Sequence, residues 1–389
     1  MRKLKLMVAI LSGSAMLLTS CLKDETSINP DNAINFDAAF VVNGESKSIS
    51  VINLSTNQVD KTIDLTKLIS SSAGTPMGTD MNMDNMWAHH INLSPDKSKI
   101  VIAAPGGLSD SEHMMQSATA TSTTTDSHSQ HHAGSSAAGS QTDNMMQGGI
   151  LILDAVSGEL LQKVALDGMV HNAVFSPDGK EFWVVIMMPE GTVKVFDTSN
   201  YSLLSTIAVD QMPGELTFSD DGKKVFVASE MSDTITVIDV ATRKILEKKA
   251  DANFFGAWTD MMHVEAGSAA DMSSVANMMD MMEMMKDSLH MDNEQGMAVR
   301  NTMMNQVWVS DPKDGKIHYW TANNSELTHG GTVAVGKGAH AIAFSKDGKL
   351  AYVTNEDDAT ISVVDVIGKK ELLKITVGDK PHGIVLKYN

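Results

Sequence analysis

The sequence predicts an all-β fold, a β-propeller of about six four-stranded blades whose ring is closed by strands from the two chain ends. Three observations lead there. The stretches "HNAVFSPDGKEFWVVIMMPEGTVKVFDTSNYSLLSTIAV" (171–209), "GELTFSDDGKKVFVASEMSDTITVIDVATRKILEKKA" (214–250) and "HAIAFSKDGKLAYVTNEDDATISVVDVIGKKELLKITV" (340–377) are copies of one pattern, and repeats of this length are the mark of stacked supersecondary units. Within each copy an alternating strand runs into an Asp-Gly turn, a Val-rich strand, a third strand ending in Asp, and a fourth strand, so each reads as a four-stranded meander. The N-terminal copy "AFVVNGESKSISVINLSTNQVDKTIDL" (39–65) has only the last three of these strands, and the C-terminal "PHGIVLKYN" (381–389) supplies the missing first one.

The other blades follow in order. "HINLSPDKSKIVIAAPGG" (90–107) opens a blade that "GGILILDAVSGELLQKVAL" (148–166) completes after a long insert. The copies at 171–209 and 214–250 come next. "NFFGAWTD" (253–260) reads as the opening of a fifth unit, resumed by "NQVWVSDPKDGKIHYWTA" (305–322) after a second insert, and 340–377 is the sixth. The count becomes seven if a degenerate blade lies within 67–87. The propeller is thus expected over 38–389, interrupted by inserts at 67–88, 108–147 and 259–304.

"AYVTNEDDATISVVDV" and "VGDKPHGIVL" closely resemble the YVTN-type β-propeller repeat, and the resemblance extends from about residue 38 to the end of the chain. It implies the propeller fold, often with seven blades. It says little about function, because propellers host binding modules, lactonases and redox enzymes alike.

The start of the chain has a different character. In "MRKLKLMVAILSGSAMLLTSC", Arg2, Lys3 and Lys5 precede an apolar stretch from Met7 to Leu18, and Leu18-Thr19-Ser20-Cys21 resembles a bacterial lipobox. The apolar run is too short for a spanning helix. The expectation is a signal peptide over 1–20, lipidation at Cys21, and a flexible tether over 21–37, giving an outer-membrane lipoprotein of the cell envelope. "CLKDE" also resembles the surface-export signal of lipoproteins in the Bacteroidetes.

Charge and cysteine usage exclude several chemistries. Lys plus Arg number 30 against 48 Asp plus Glu, a formal net charge of -18 at pH 7, which repels nucleic-acid phosphates. Cys21 is the single cysteine of the 389 residues, so once it carries lipid no thiol remains for a catalytic nucleophile, a disulfide, an iron–sulfur cluster or covalent haem attachment. No Gly-x-Ser-x-Gly elbow or phosphate-cradling glycine loop appears. "SPDGK" and "SDDGK" pair acids with glycine, but they are the repeat's hairpin turns rather than catalytic dyads.

The three inserts share a bias that the blades lack, holding 21 of the chain's 29 methionines. The insert 67–88 has Met77, Met81, Met83 and Met86, and 108–147 has His113, Met114, Met115, His128, His131, His132, Met145 and Met146. The insert 259–304 carries Met261, Met262 and His263, then a segment in which Met278, Met279, Met282 and Met285 fall on one side of a predicted helix, with Asp280, Glu283 and Asp287 opposite. Such a stripe packs readily onto a neighbour, since Met is an adaptable packing residue. Packing does not account for its recurrence in separate inserts with His alongside. Thioethers prefer Cu(I) and imidazoles serve Cu(II) and Zn(II), so mixed Met and His clusters outside the reducing cytosol point to copper. "SEHMMQ", "NMMQ" and "TDMMH" resemble Met-rich motifs of envelope copper-handling proteins.

A second group lies on the blades. Four residues before the apolar position that leads into each turn stand His89, His171, His340 and His382, with Gly214 and Phe254 at the corresponding places of the other two blades. Equivalent positions on innermost strands surround the axis at one level, so these imidazoles are expected to converge, with His90 and His263 able to join them. A His at a blade start also belongs to the YVTN signature, where bonding to a neighbouring carbonyl suffices to explain it. "WAHHINLSP" loosely resembles the adjacent His pair of nitrous oxide reductase, a propeller whose hub histidines hold copper; its Cys-bearing cupredoxin domain has no counterpart here, and its reaction is not carried over.

Three functions fit: a lipid-anchored propeller that binds copper for sequestration, tolerance or delivery; a metal-free scaffold whose Met surfaces bind a protein partner; and an enzyme of the channel mouth, lactonase-like or redox.

Overall fold

A computed structural model describes residues 33–71, 87–105, 147–188, 190–229, 232, 234–249, 297–323 and 326–389. Their strands form six four-stranded antiparallel sheets, the blades of a β-propeller. One blade is built from both chain ends: Pro381–Lys387 lies innermost, followed outward by Ala38–Asn43, Ser48–Asn53 and Gln58–Asp64. Numbered from it, the second to sixth blades have as innermost strands Ile91–Leu93, Val170–Phe175, Pro213–Phe218, Ala298–Asn301 and Ala339–Phe344. The only helix among the described residues, Leu65–Ser71, follows the first blade and is capped by Asp64, whose Oδ1 accepts from the Thr66 and Lys67 amides at 3.0 and 3.2 Å. No helix among the described residues is long and apolar enough to cross a membrane.

Burial falls from the axis outward, and residue choice follows it. All six residues of "PGELTF" (Pro213–Phe218) are buried, whereas "ILEKK" (Ile245–Lys249) is almost wholly exposed. Outer edge strands rich in charge protect the sheet edges from pairing with other chains. The core lies between blades, where the faces of neighbouring sheets interdigitate. Trp183 of the third blade meets Phe218 of the fourth edge-on at 5.7 Å between ring centroids, and Trp308 of the fifth meets Phe344 of the sixth at 5.4 Å. Each indole N–H is satisfied within its own blade, by Glu181 and by Gln306, both at 3.0 Å, so the rings are buried without an orphaned donor.

The repeated turns are hydrogen-bonded units. Ser176 Oγ donates to Asp178 Oδ1 at 2.7 Å, Asp178 accepts from the Lys180 amide, and Gly179 has a φ of 70°. Ser219, Asp221 and Gly222 repeat the arrangement, as do Ser345, Asp347 and Gly348. The left-handed position explains the glycine, and the serine hydroxyl holds each aspartate below its ordinary range. These acids are occupied by the turn.

The ring closes as the repeat count requires: Ala38 to Val41 pair with Lys387 to Ile384, and the Gly44 amide donates to the Lys380 carbonyl at 2.8 Å. Ile34, within the stretch read as tether, is fully buried, and its amide donates to Val156 O at 2.7 Å.

The fifth blade begins later than the repeat spacing suggests. Its innermost strand is Ala298–Asn301, paired with Gln306–Asp311 through Asn301↔Gln306, so Met297, Met303 and Met304 are blade residues rather than parts of the preceding insert. The turn there reads "NTMMN", with Asn305 at a φ of 50° in place of the Asp-Gly signal that marks the third, fourth and sixth blades. "NFFGAWTD" lies outside the described residues.

Candidate metal centre

A backbone irregularity repeated in four innermost strands sets up the site. Between Val170 and Ala173 the third blade's inner strand advances three residues while its partner advances two, Ile186 to Val184. The sixth blade does the same between Ala339 and Ile342, and the first between Pro381 and Ile384. The fourth has its extra residue between Pro213 and Glu215. Each is a β-bulge, which breaks strict alternation and re-aims side chains. The bulges carry His171 with Asn172, His340, His382 and Gly214. In the second blade His89 and His90 immediately precede Ile91–Leu93, and the hydrogen bonds His89 N to Ala103 O and Ala103 N to His90 O, both 2.9 Å, hold this pair against the neighbouring strand.

Five imidazoles converge. Ring centroids are 3.6 Å apart for His89 and His382, 3.8 Å for His340 and His382, 4.3 Å for His89 and His90, 4.5 Å for His89 and His171, and 4.9 Å for His90 and His171. Gly383 permits the approach of the first and second blades: a Cβ there would stand 2.8 Å from His89 O and 3.0 Å from Ile91 N, and the Gly383 amide donates to that same carbonyl at 3.1 Å.

Two carboxylates complete the cluster. Glu215 Oε1 lies 3.0 Å from His90 Nε2 and 3.5 Å from His171 Nδ1, and its Oε2 accepts from Asn172 Nδ2 at 2.5 Å. Asn92 Nδ2 in turn donates to Asn172 Oδ1 at 3.2 Å, so the glutamate is held by side chains from the second and third blades. Glu356, just beyond Leu350–Asn355, has its Oε1 3.1 Å from His382 Nε2 and 3.8 Å from His340 Nδ1. His171 Nδ1 is 2.7 Å from Gly214 O. A carbonyl only accepts, so Nδ1 carries the proton and Nε2 keeps its lone pair.

Burial governs the electrostatics. It pushes His171 down to about 4 and His340 to about 3, with neighbouring imidazoles adding to the effect and Glu215 opposing it at His171. His89 and His382 are lowered well below the ordinary range, again by burial first and then by other histidines. Burial raises Glu215 to about 7, against His171 and the Asn172 hydrogen bond. At neutral pH these four imidazoles are neutral, the form in which imidazole ligates a metal.

Buried Nδ1 atoms of His89, His340 and His382 have no hydrogen-bond partner. Leaving such a group unsatisfied costs about 1–3 kcal/mol, and a fold stabilised by these histidines would have satisfied them. An ion binding their lone pairs removes the penalty. Three groupings bring ligand atoms within 4.8 Å of one another: His89, His90 and His382; His90, His171 and Glu215; and His340, Glu356 and His382.

Of the residues singled out from sequence, the structure therefore gathers His89, His90, His171, His340 and His382. His263, Met261, Met262, Met278, Met279, Met282, Met285, His113, Met114, Met115 and Cys21 lie outside the described residues. The sequence reading missed Glu215 and Glu356. For Glu215 a signal existed: a carboxylate inside the apolar strand "PGELTF", beside the Gly214 that occupies the histidine position. Glu356 offered less, being one of several acids in "TNEDDAT".

No family model matches the chain, and no curated protein does. Among solved structures it is similar to hydrazine synthase of Kuenenia stuttgartiensis, at 12% identity and a TM-score of 0.50, with 81% of this chain and 99% of that one covered. A functionally unknown protein of Desulfotomaculum acetoxidans matches at 11% identity and a TM-score of 0.49 over 90% of this chain and 99% of that one. A protein of unknown function from Bacteroides caccae matches at 9% and 0.47, covering 90% and 98%. Identities this low speak to the fold alone, so function has to be argued from the site. The described residues form the six blades of a β-propeller with His and Glu groups that could hold a metal ion.

Proposed function

We propose that the protein is a lipid-anchored, cell-envelope propeller of the YVTN type that binds copper at its hub, for sequestration, tolerance or delivery. The observation that carries the reading is the convergence of five imidazoles, four of them buried and His171 partly so, on two carboxylates, with three imidazole nitrogens unsatisfied. Nitrogen and oxygen donors suit a divalent ion, and Cu(II) is bound most tightly by such sites among the first-row divalent metals. The Met- and His-rich inserts support copper over zinc, because thioethers add capacity for Cu(I). The lipobox-like Leu18-Thr19-Ser20-Cys21 and the "CLKDE" that follows support the anchor and the compartment.

The test is a competition titration of the full chain, extracted in detergent and stripped of metal, with Cu(II) against a chelator of graded affinity. Copper retained by the wild type and lost on replacing His171 and His340 with Ala together, with Zn(II) retained more weakly, is the expected outcome. A wild type that yields its copper to a weak chelator, or holds zinc more tightly, would overturn the copper assignment.

A further inference from the structure

The hub contains more ligands than one ion can use, and their arrangement is divided. His90, His171 and Glu215, from the second, third and fourth blades, form one set; His340, Glu356 and His382, from the sixth and first, form another. The sets share no residue. Each supplies two imidazoles and one carboxylate with ligand atoms within 4.8 Å of one another, slightly wider than the ~4 Å that two Zn–N or Zn–O bonds of about 2.0–2.2 Å span, so a small side-chain adjustment closes each set on one ion. Each carboxylate is committed to its own side: Glu215 lies against His90 and His171, and Glu356 against His382 and His340. The two sets are near neighbours, with centroid separations of 5.6 Å for His90 and His382 and 6.4 Å for His90 and His340.

His89 stands between them. Its ring centroid is 3.6 Å from His382 in one set and 4.5 Å from His171 in the other, and its buried Nδ1 has no hydrogen-bond partner. It also groups with His90 and His382, one residue from each set. A single-ion site would leave one carboxylate and two imidazoles out of water and away from the ion, at the desolvation cost of burying ionisable groups.

Resting on the metal-binding reading above, we infer that the hub is a two-ion centre: two adjacent divalent ions, each held by two histidines and one glutamate, with His89 bracing or bridging the pair. Two His and one carboxylate do not fill a coordination sphere, so both ions keep positions open toward a small ligand shared between them.

The experiment loads the full chain with Cu(II) and measures bound copper and its electron paramagnetic resonance. Hub copper is the difference between the wild type and a variant lacking both sets and His89 (His89→Gln, His90→Gln, His171→Gln, His340→Gln and His382→Gln, with Glu215→Gln and Glu356→Gln). The expected value is two per chain, with spectra showing magnetic coupling between neighbouring Cu(II) ions. Glu215→Gln with His171→Ala, and separately Glu356→Gln with His340→Ala, should each leave one hub copper with the uncoupled spectrum of an isolated ion. The single substitutions Glu215→Gln and Glu356→Gln, which preserve shape, should each weaken one copper and spare the other. One hub copper in the wild type, removed equally by either half-set variant, would overturn the two-ion centre while leaving metal binding in place. No hub copper at all would remove both readings.

Discussion

A chain ending at Lys380 is expected to lose the whole propeller rather than one strand of one blade. Residues 381–389 supply the innermost strand of the first blade, pairing from Ala38↔Lys387 to Asn43↔Pro381. Without it, Ala39, Phe40, Val41 and Val42, all fully buried, become the open edge of a three-stranded sheet facing the axis. Ile384, Val385 and Leu386 leave the packing between the first blade and its neighbours. Burying a side chain of that size is worth about 1.5–3 kcal/mol, and each ladder hydrogen bond about 0.5–1.5 kcal/mol net. Their sum is comparable to the ~5–15 kcal/mol stability of an ordinary domain. Lys387, whose Nζ donates to Ile34 O at 2.9 Å, is lost as well, releasing the N-terminal approach to the ring. Thermal melting followed by near-ultraviolet circular dichroism should show no cooperative transition for the shortened chain. A melt within a few degrees of the wild type would contradict the ring closure.

Replacing His89 with Leu is expected to stabilise the metal-free protein while weakening metal retention. His89 is 7% exposed, its Nδ1 is unsatisfied, and burial first, then the surrounding imidazoles, hold it neutral. Leucine has similar volume and no polar atom to desolvate, and well-packed apolar replacement of a buried unsatisfied group is neutral or favourable. The gain should be about 1 kcal/mol, read as a rise in Tm of roughly 2 °C for a chain of this size. Metal affinity should fall at least ~10-fold, the loss that even outer-sphere partners of metal ligands produce. A histidine that merely braced the blades would give the reverse, a lower Tm and unchanged metal affinity. Measuring both quantities on one variant separates the two roles.

The fold was legible because its signals are local and repeated. "SPDGK", "SDDGK" and "SKDGK" carry the serine, aspartate and glycine that the turn needs, and an incomplete N-terminal copy points to closure by the C-terminal strand. The fifth blade was placed wrongly because "NTMMNQ" makes its turn with Asn305 at a positive φ, a conformation that Asn tolerates without announcing it. The histidines were legible from register, since His171, His340 and His382 hold one position of the repeat. The carboxylates were not. Glu215 is one residue out of that register, and it faces the hub because a bulge puts two consecutive residues of the strand off alternation. Glu356 lies in the turn just after the second strand of its blade, where the strand period gives no reason to look inward for a ligand.

The hub, rather than sulfur elsewhere in the chain, is expected to hold the tightly bound ion. X-ray absorption at the copper edge of the Cu(II)-loaded full chain, taken at sub-stoichiometric metal so that the tightest site fills first, tests this directly. Nitrogen and oxygen neighbours at about 2.0–2.2 Å are expected, with the outer-shell scattering of imidazole. A first shell dominated by sulfur at about 2.3 Å would place the tight site among the methionines and contradict the assignment of the hub.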